Sequence, residues 1–177
     1  SQGKQEKRYP PLSYKEAVNF KSKYNFAGSV SLYTNISRNG QLKYKSEKTT
    51  PTVRIAASDE NFLFQNAYDI ADGRNFSPIE IQNNNAVVLL GSNVVKKLFK
   101  ENENPLGENI SFYGSKFKVI GIIKEQGGLG GGGPDQSVYI PIGLSTIVSS
   151  NQLQYGITVS VPDPTIMETA IGEATGV

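Results

Sequence analysis

The most chemically suggestive run in the chain is Gly127-Gly128-Leu129-Gly130-Gly131-Gly132-Gly133. Gly128, Gly130 and Gly133 satisfy G-x-G-x-x-G, a pattern that turns backbone amides toward a pyrophosphate. That chemistry needs a strand before the glycines and a helix after them, whose N-terminus faces the phosphate charge. A strand-like segment precedes the run, but Pro134-Asp135 and a short β-like segment follow it. There is no Gly-Lys-Ser/Thr either. The run therefore reads as an exposed, mobile loop between two strands. Its seven residues are the chain's one candidate contact with a partner, and Asp135 reads as a turn residue at its end.

Carboxylates do acid–base work when two are held several ångströms apart. Asp59-Glu60, and Asp69 with Asp72, are near neighbours along the chain and read as solvated. Asn83-Asn84-Asn85 lacks the acidic spacing of a calcium loop. The chain has no His and no Cys. That excludes Ser-His-Asp triads, Cys-His nucleophiles and nearly all zinc sites. No catalytic residue, cofactor site or metal ligand is assigned, and the chain is read as a non-enzyme. A standalone carboxylate-based hydrolase is the enzymatic alternative.

Eighteen basic and sixteen acidic side chains leave a net charge of +2, too weak to point to nucleic acid or a membrane surface. Lys43, Lys45 and Lys48 alternate and read as one solvated strand face. Tyr9, Tyr14, Tyr24, Tyr33 and Tyr44 read as parts of amphipathic elements. The 37% apolar and 19% charged composition is that of a globular chain. No apolar run approaches the roughly 20 residues of a membrane helix. Both ends, Ser1 and Val177, read as cuts in a longer protein.

Local signals set out the elements. Ser13 and Glu16 form a capping box for a helix over 13–24. Val30, Leu32, Thr34 and Ile36 alternate with Ser31, Tyr33, Asn35 and Ser37, as a strand does. A three-residue loop, Arg38-Asn39-Gly40, would pair Ile36 with Leu42 and put Gly40 in the left-handed region. Val53, Ile55 and Ala57 make a third strand. Residues 58–66 hold a short helix with Phe62, Leu63 and Phe64. Asp72-Gly73-Arg74-Asn75-Phe76 is a turn, and Ser77-Pro78-Ile79-Glu80 starts a helix with Pro at its first position. Residues 86–90 are continuously apolar, as a strand covered on both faces is. Ser92 is read as the cap of a helix carrying Val94, Val95, Leu98 and Phe99. Residues 110–112 and 117–123 are strands joined at Tyr113-Gly114-Ser115. Residues 138–140 form a strand ending at Pro141, with a short helix over 143–149. Ile157, Val159 and Val161 alternate, and a helix is expected from Pro164. Interleaved elements without a steady βαβ rhythm give an α+β class. The change of texture near Asn61, and its reversal near Asn151, suggest two lobes.

One ordered set of motifs is more specific than its parts. It runs through Ser58-Asp59-Glu60-Asn61-Phe62, Asp72-Gly73-Arg74-Asn75-Phe76 and Ala86-Val87-Val88-Leu89-Leu90. It continues through Val94-Val95-Lys96-Lys97-Leu98-Phe99 and Asn104-Pro105-Leu106-Gly107-Glu108-Asn109-Ile110. It ends on Phe117-Lys118-Val119-Ile120-Gly121-Ile122-Ile123 and Tyr139-Ile140-Pro141. In order and spacing this resembles the extracytoplasmic core domain of ABC-transporter permeases of the MacB type, a superfamily that includes the LolC/LolE and FtsX proteins. The motifs are structural in kind: Gly73 and Gly107 suit tight turns, and Pro105 presets one.

The resemblance implies a porter-like α/β lobe of residues 1–60 plus 151–177, truncated at its C-terminus, and an inserted β-rich lobe of residues 61–150. It implies a domain on the periplasmic or extracytoplasmic side of an inner-membrane protein. There it would pass on ATP-driven motion and touch a substrate or an adaptor. The partners implied are the full-length permease dimer, its ATPase domain and a periplasmic adaptor, with no nucleic acid and no cofactor. The alternative is a LolE- or FtsX-like domain that binds a lipoprotein or a hydrolase activator.

In that family the membrane helices supply much of the pairing, and this chain shows no heptad seam of its own. Without tethering it also lacks the effective concentration a shared membrane provides. A monomer, or at most a weak dimer, is expected at micromolar concentration, and sedimentation should show a species near 19.2 kDa. A stable dimer there would reveal an interface in the domain itself.

Overall fold

The computed structural model describes residues 5–8, 12–128 and 133–161. The helix expected from Pro164 lies outside them, as does Tyr9. The first helix, α1 (Tyr14–Lys23), forms on its local signal. Ser13 Oγ accepts the Glu16 amide and Glu16 Oε1 accepts the Ser13 amide, both at 3.2 Å. Such a cap is worth about 0.5–2 kcal/mol. The helix buries Ala17, and Tyr14, Val18 and Phe20 pack with it against the core.

Eleven strands join in one mixed sheet among the described residues. They are β1 (Gln5–Arg8), β2 (Ser29–Gly40), β3 (Lys43–Tyr44), β4 (Glu47–Lys48), β5 (Val53–Ser58), β6 (Ile70–Gly73), β7 (Val87–Leu90), β8 (Asn109–Phe112), β9 (Ser115–Ile123), β10 (Ser137–Pro141) and β11 (Gly156–Val161). The spatial order is β1-β11-β2-β5-β10-β7-β9-β8-β3-β4, with β6 added beside β9. The β5–β10 and β7–β9 pairs are parallel and the others antiparallel. With helices on its faces, this is an α+β fold.

The apolar run at residues 86–90 is the sheet's two-faced strand. Val88 and Leu90 belong to one core cluster, Val87 and Leu89 to the cluster on the other face. The first cluster is covered by α1 and by α4 (Ser92–Leu98), through Ala17, Val94 and Leu98. The second is covered by α2 (Phe62–Gln65), through Leu63. Each fully buried Leu or Ile contributes about 1.5–3 kcal/mol. Two short helices, α3 (Pro78–Gln82) and α5 (Ser145–Val148), complete the set. A 3-10 turn at Ile142–Leu144 leads into α5, so the helix expected over 143–149 is shorter and starts late.

The sheet crosses both boundaries expected of an inserted lobe. β10 lies between β5 and β7. Val138 and Ile140 share a cluster with Val30, Leu32, Ile55 and Ile157. Residues of the 61–150 segment thus share a core cluster with residues outside it.

Two local readings are corrected. β2 does not turn at Arg38-Asn39-Gly40; it runs on, and Gly40 pairs with Val53 of β5. Gly40 is not among the residues with positive φ. A Cβ there would lie 2.6 Å from Ile55 Cγ1 and 2.8 Å from the Val53 carbonyl. The glycine serves the close approach of two strands, and the chain reverses later, at Lys45 with φ 51°. The second correction concerns α4. Its N-cap is Gly91, where a Cβ would overlap the Pro134 and Asp135 carbonyls. Ser92 is the first helical residue, and its Oγ is buried without a hydrogen bond.

Gly40→Val is expected to lower unfolding free energy by about 1–3 kcal/mol through overpacking against Ile55. Urea denaturation measures it. An unchanged midpoint would mean that β2 leaves β5 before Gly40.

Candidate functional site

The glycine run has a fixed neck. The Asp135 carboxylate accepts the backbone amides of Gln126 and Gly127, both at 2.9 Å. A 3-10 turn at Pro134–Gln136 holds Asp135 in place. Its role is therefore to close the loop. Gly127 and Gly128 are exposed, with φ of 68° and 107° and open space where a Cβ would stand. Gly133 is half-buried and its backbone is extended. Leu129, Gly130, Gly131 and Gly132 lie outside the described residues. A strand follows the turn, so no helix end faces the glycines as a pyrophosphate site requires.

The motif at residues 58–62 proves to be a buried polar junction. Asp59 has no exposure, against the reading of it as solvated. Its carboxylate accepts Lys21 Nζ at 2.8 Å, the Leu32 amide at 2.9 Å and the Asn61 amide at 3.1 Å. Lys21 also reaches Glu60 Oε1 at 2.6 Å. Burial dominates at Asp59 and holds its carboxyl at about 6, with Lys21 only partly offsetting it. Lys21, which desolvation works to lower, is kept above its ordinary range by Asp59 and Glu60. The cation gains from the pairing and Asp59 bears the desolvation. Asp69 and Asp72 are exposed, as read from the sequence.

The Gly73-Arg74 turn is a second junction. Gly73 takes φ 77°, and a side chain there would also strike the Ile120 carbonyl. Arg74 then grips Glu80 with two bonds of 2.6 and 2.9 Å. Glu80 Oε1 also accepts the Ser77 amide at 2.9 Å, and Ser77 Oγ caps α3 in return. The Arg74 hydrogen bonds hold the Glu80 carboxyl down at about 2.

A groove of about 420 Å³ opens beside the first junction, between Tyr14 and Lys21 of α1, Asp59, and Ile81 of α3. Lys21, Asp59 and Glu60 are already bonded to one another along it. No nucleophile stands beside a base there. Among the described residues no group of three His, Cys, Asp or Glu side chains is placed to hold a metal. The tyrosines pack as structure: Tyr33 stacks on Phe62 at 4.6 Å and Tyr44 on Phe99 at 4.3 Å.

The sequence matches the profile of the MacB-like periplasmic core domain over residues 2–177, and the chain belongs to that family. It is 30% identical over 134 residues to the macrolide export ATP-binding/permease protein MacB of Hahella chejuensis, covering 75% of this chain and 20% of that protein. It is 30% identical over 94 residues to the pyoverdine export ATP-binding/permease protein PvdT of Pseudomonas syringae pv. syringae, covering 52% of this chain and 14% of that protein. The chain thus spans about a fifth or less of these relatives' length. The crystal structure of the periplasmic region of MacB from Actinobacillus actinomycetemcomitans superposes with a TM-score of 0.71 at 23% identity, over 94% of this chain and 74% of that one. The extracellular domain of the transporter YknZ from Gram-positive bacteria gives 0.68 at 16% identity, over 90% and 78%.

The two carboxylates titrate in opposite senses. Asp59, raised from 3.8 to about 6, favours folding fully below about 3.8 and loses that contribution as pH rises through 6. Glu80, lowered from 4.5 to about 2, contributes above 4.5 and loses its share as pH falls toward 2. Glu80→Gln is expected to cost about 1–3 kcal/mol at pH 7, and the gap to the parent should close below pH 4.5. Denaturation at several pH values checks this. A gap independent of pH would show that the Arg74–Glu80 pair is not what holds the turn.

Proposed function

We propose that the chain is the extracytoplasmic domain of a MacB-like ABC-transporter permease and that it transmits ATP-driven motion without catalysing a reaction. In the whole protein it would stand outside the inner membrane, with ATP hydrolysed on a separate domain. The family match over residues 2–177 carries the reading. Topology supports it. Gln5 of β1 and Val161 of β11 are register partners, so the first and last described residues of the sheet lie at one corner. A displacement delivered to that corner passes through a continuous hydrogen-bonded sheet to its far edge at β4. In keeping with relatives named as export permeases, the object of the motion would be a substrate or an adaptor. Residues 127–133 would offer the partner contact, because Gly127 and Gly128 are exposed on a neck fixed by Asp135.

The absence of cysteine makes spin labelling of this chain direct. Tyr113 and Ile147 are exposed and suit the purpose. In the full-length permease, labels at Tyr113→Cys on two copies should change separation when a non-hydrolysable ATP analogue binds. A Tyr113→Cys, Ile147→Cys pair within one copy should keep its distance, as a rigid sheet requires. A between-copy distance that ignores nucleotide would end the motion reading.

A further inference from the structure

Three cations meet where β2 ends and β5 and β10 begin. Arg38 on β2, Arg54 on β5 and Lys97 on α4 line a recess of about 500 Å³. The register brings the two arginines near each other: β2 is irregular between Ser37, which pairs with Ile55, and Gly40, which pairs with Val53, and Arg38 lies in that stretch across from Arg54. On its other side Arg54 pairs with Ser137. Both guanidiniums reach the surroundings of Tyr33, whose hydroxyl is raised by burial and pulled down by each of them.

Among the described residues no carboxylate forms an ion pair with these charges. Neither arginine makes an ion pair or a side-chain hydrogen bond among the described residues. Lys97 Nζ has only neutral acceptors, Gln136 Oε1 at 3.1 Å and Thr52 Oγ1 at 3.4 Å. Ser137 Oγ, buried beside the Tyr139 hydroxyl, makes no hydrogen bond of ordinary geometry. Arg74 shows by contrast what this chain does with a structural arginine: it spends both nitrogens on Glu80.

A solvated surface accounts for Arg38 and Lys97 taken singly, since both are exposed. It does not account for Arg54, half-buried on an inner strand with a second guanidinium opposite. Like charges opposed across strands are destabilising. A bound oxyanion removes that repulsion and takes the free donors in the forked geometry arginine offers. A recess of this size suits a small molecule, or one headgroup, better than a broad protein face. We propose that Arg38, Arg54 and Lys97 form a binding site for a phosphate group, carried by a soluble small molecule or by a lipid headgroup. The inference stands independently of the transporter reading.

Calorimetric titration of the 177-residue chain with inorganic phosphate at low salt tests it, beside co-sedimentation with phosphatidylglycerol vesicles. Saturable phosphate binding, weakened at least tenfold by Arg54→Gln and by Arg38→Gln, supports a soluble ligand. Binding to vesicles alone, lost in the same variants, assigns the phosphate to a lipid. Arg38 is exposed, so its variant keeps the test open should Arg54→Gln fail to fold. Melting temperatures add a sign change: Arg38→Gln should melt higher than the parent without phosphate and lower at saturating phosphate. Failure of both probes to bind, or binding indifferent to both substitutions, overturns the site.

Discussion

Asp59 is a carboxylate without solvent, and three elements are fastened to it. Through Lys21 it ties α1 to the sheet. Through the Leu32 amide it holds β2 beside the end of β5. Through the Asn61 amide it starts the turn into α2, and Asn61 in turn donates to the Val30 carbonyl at 2.8 Å. Burying a charge is costly unless every lone pair finds a donor, and removing one partner of such a set leaves the other stranded. The junction thus fixes how helix and sheet meet at this end. The Arg74–Glu80 grip does the same for the turn before α3 with far more solvent around it, since the Arg74 side chain is 57% exposed.

From that junction the sheet extends without a break. The β5–β10 ladder runs over five register pairs, from Arg54 with Ser137 to Ser58 with Pro141. It joins residues far apart in sequence, such as Arg54 and Ser137. Such long-range parallel pairing is slow to form, because the intervening loop must be closed before contacts compensate for it. Once formed, it makes the periplasmic core domain a plate whose two faces carry separate apolar clusters.

What was legible in the sequence was what four or five neighbouring residues decide. Ser13 with Glu16, and Ser77-Pro78 with Glu80, specify helix starts within one turn of chain. Val87 to Leu90 announces a strand covered on both faces because no polar residue interrupts it. The ordered motifs from Ser58 to Pro141 gave the family. What stayed hidden depends on partners far away in sequence. Asp59 looks like any surface acid until Lys21, 38 residues earlier, is placed against it. Asn39-Gly40 resembles a hairpin turn, and only Ile55 shows that the glycine is there for room. Ser92 resembles a cap, and only the carbonyls of Pro134 and Asp135 explain why Gly91 takes that position. Arg38 and Arg54 are unremarkable until β2 and β5 set them together.

The far edge of the sheet carries a further consequence. β4 is the last strand in the order and pairs with β3 alone among the described residues. Its outer row of backbone amides and carbonyls is a template onto which another chain could polymerise. The strand is two residues long, and Lys43 and Lys48 oppose each other across the β3–β4 pair, with Lys45 in the turn between. All three lysines are exposed. A two-residue ladder offers a second copy few backbone bonds to add to. The short strand and the exposed lysines around it fit the pattern by which sheet edges avoid pairing with other chains.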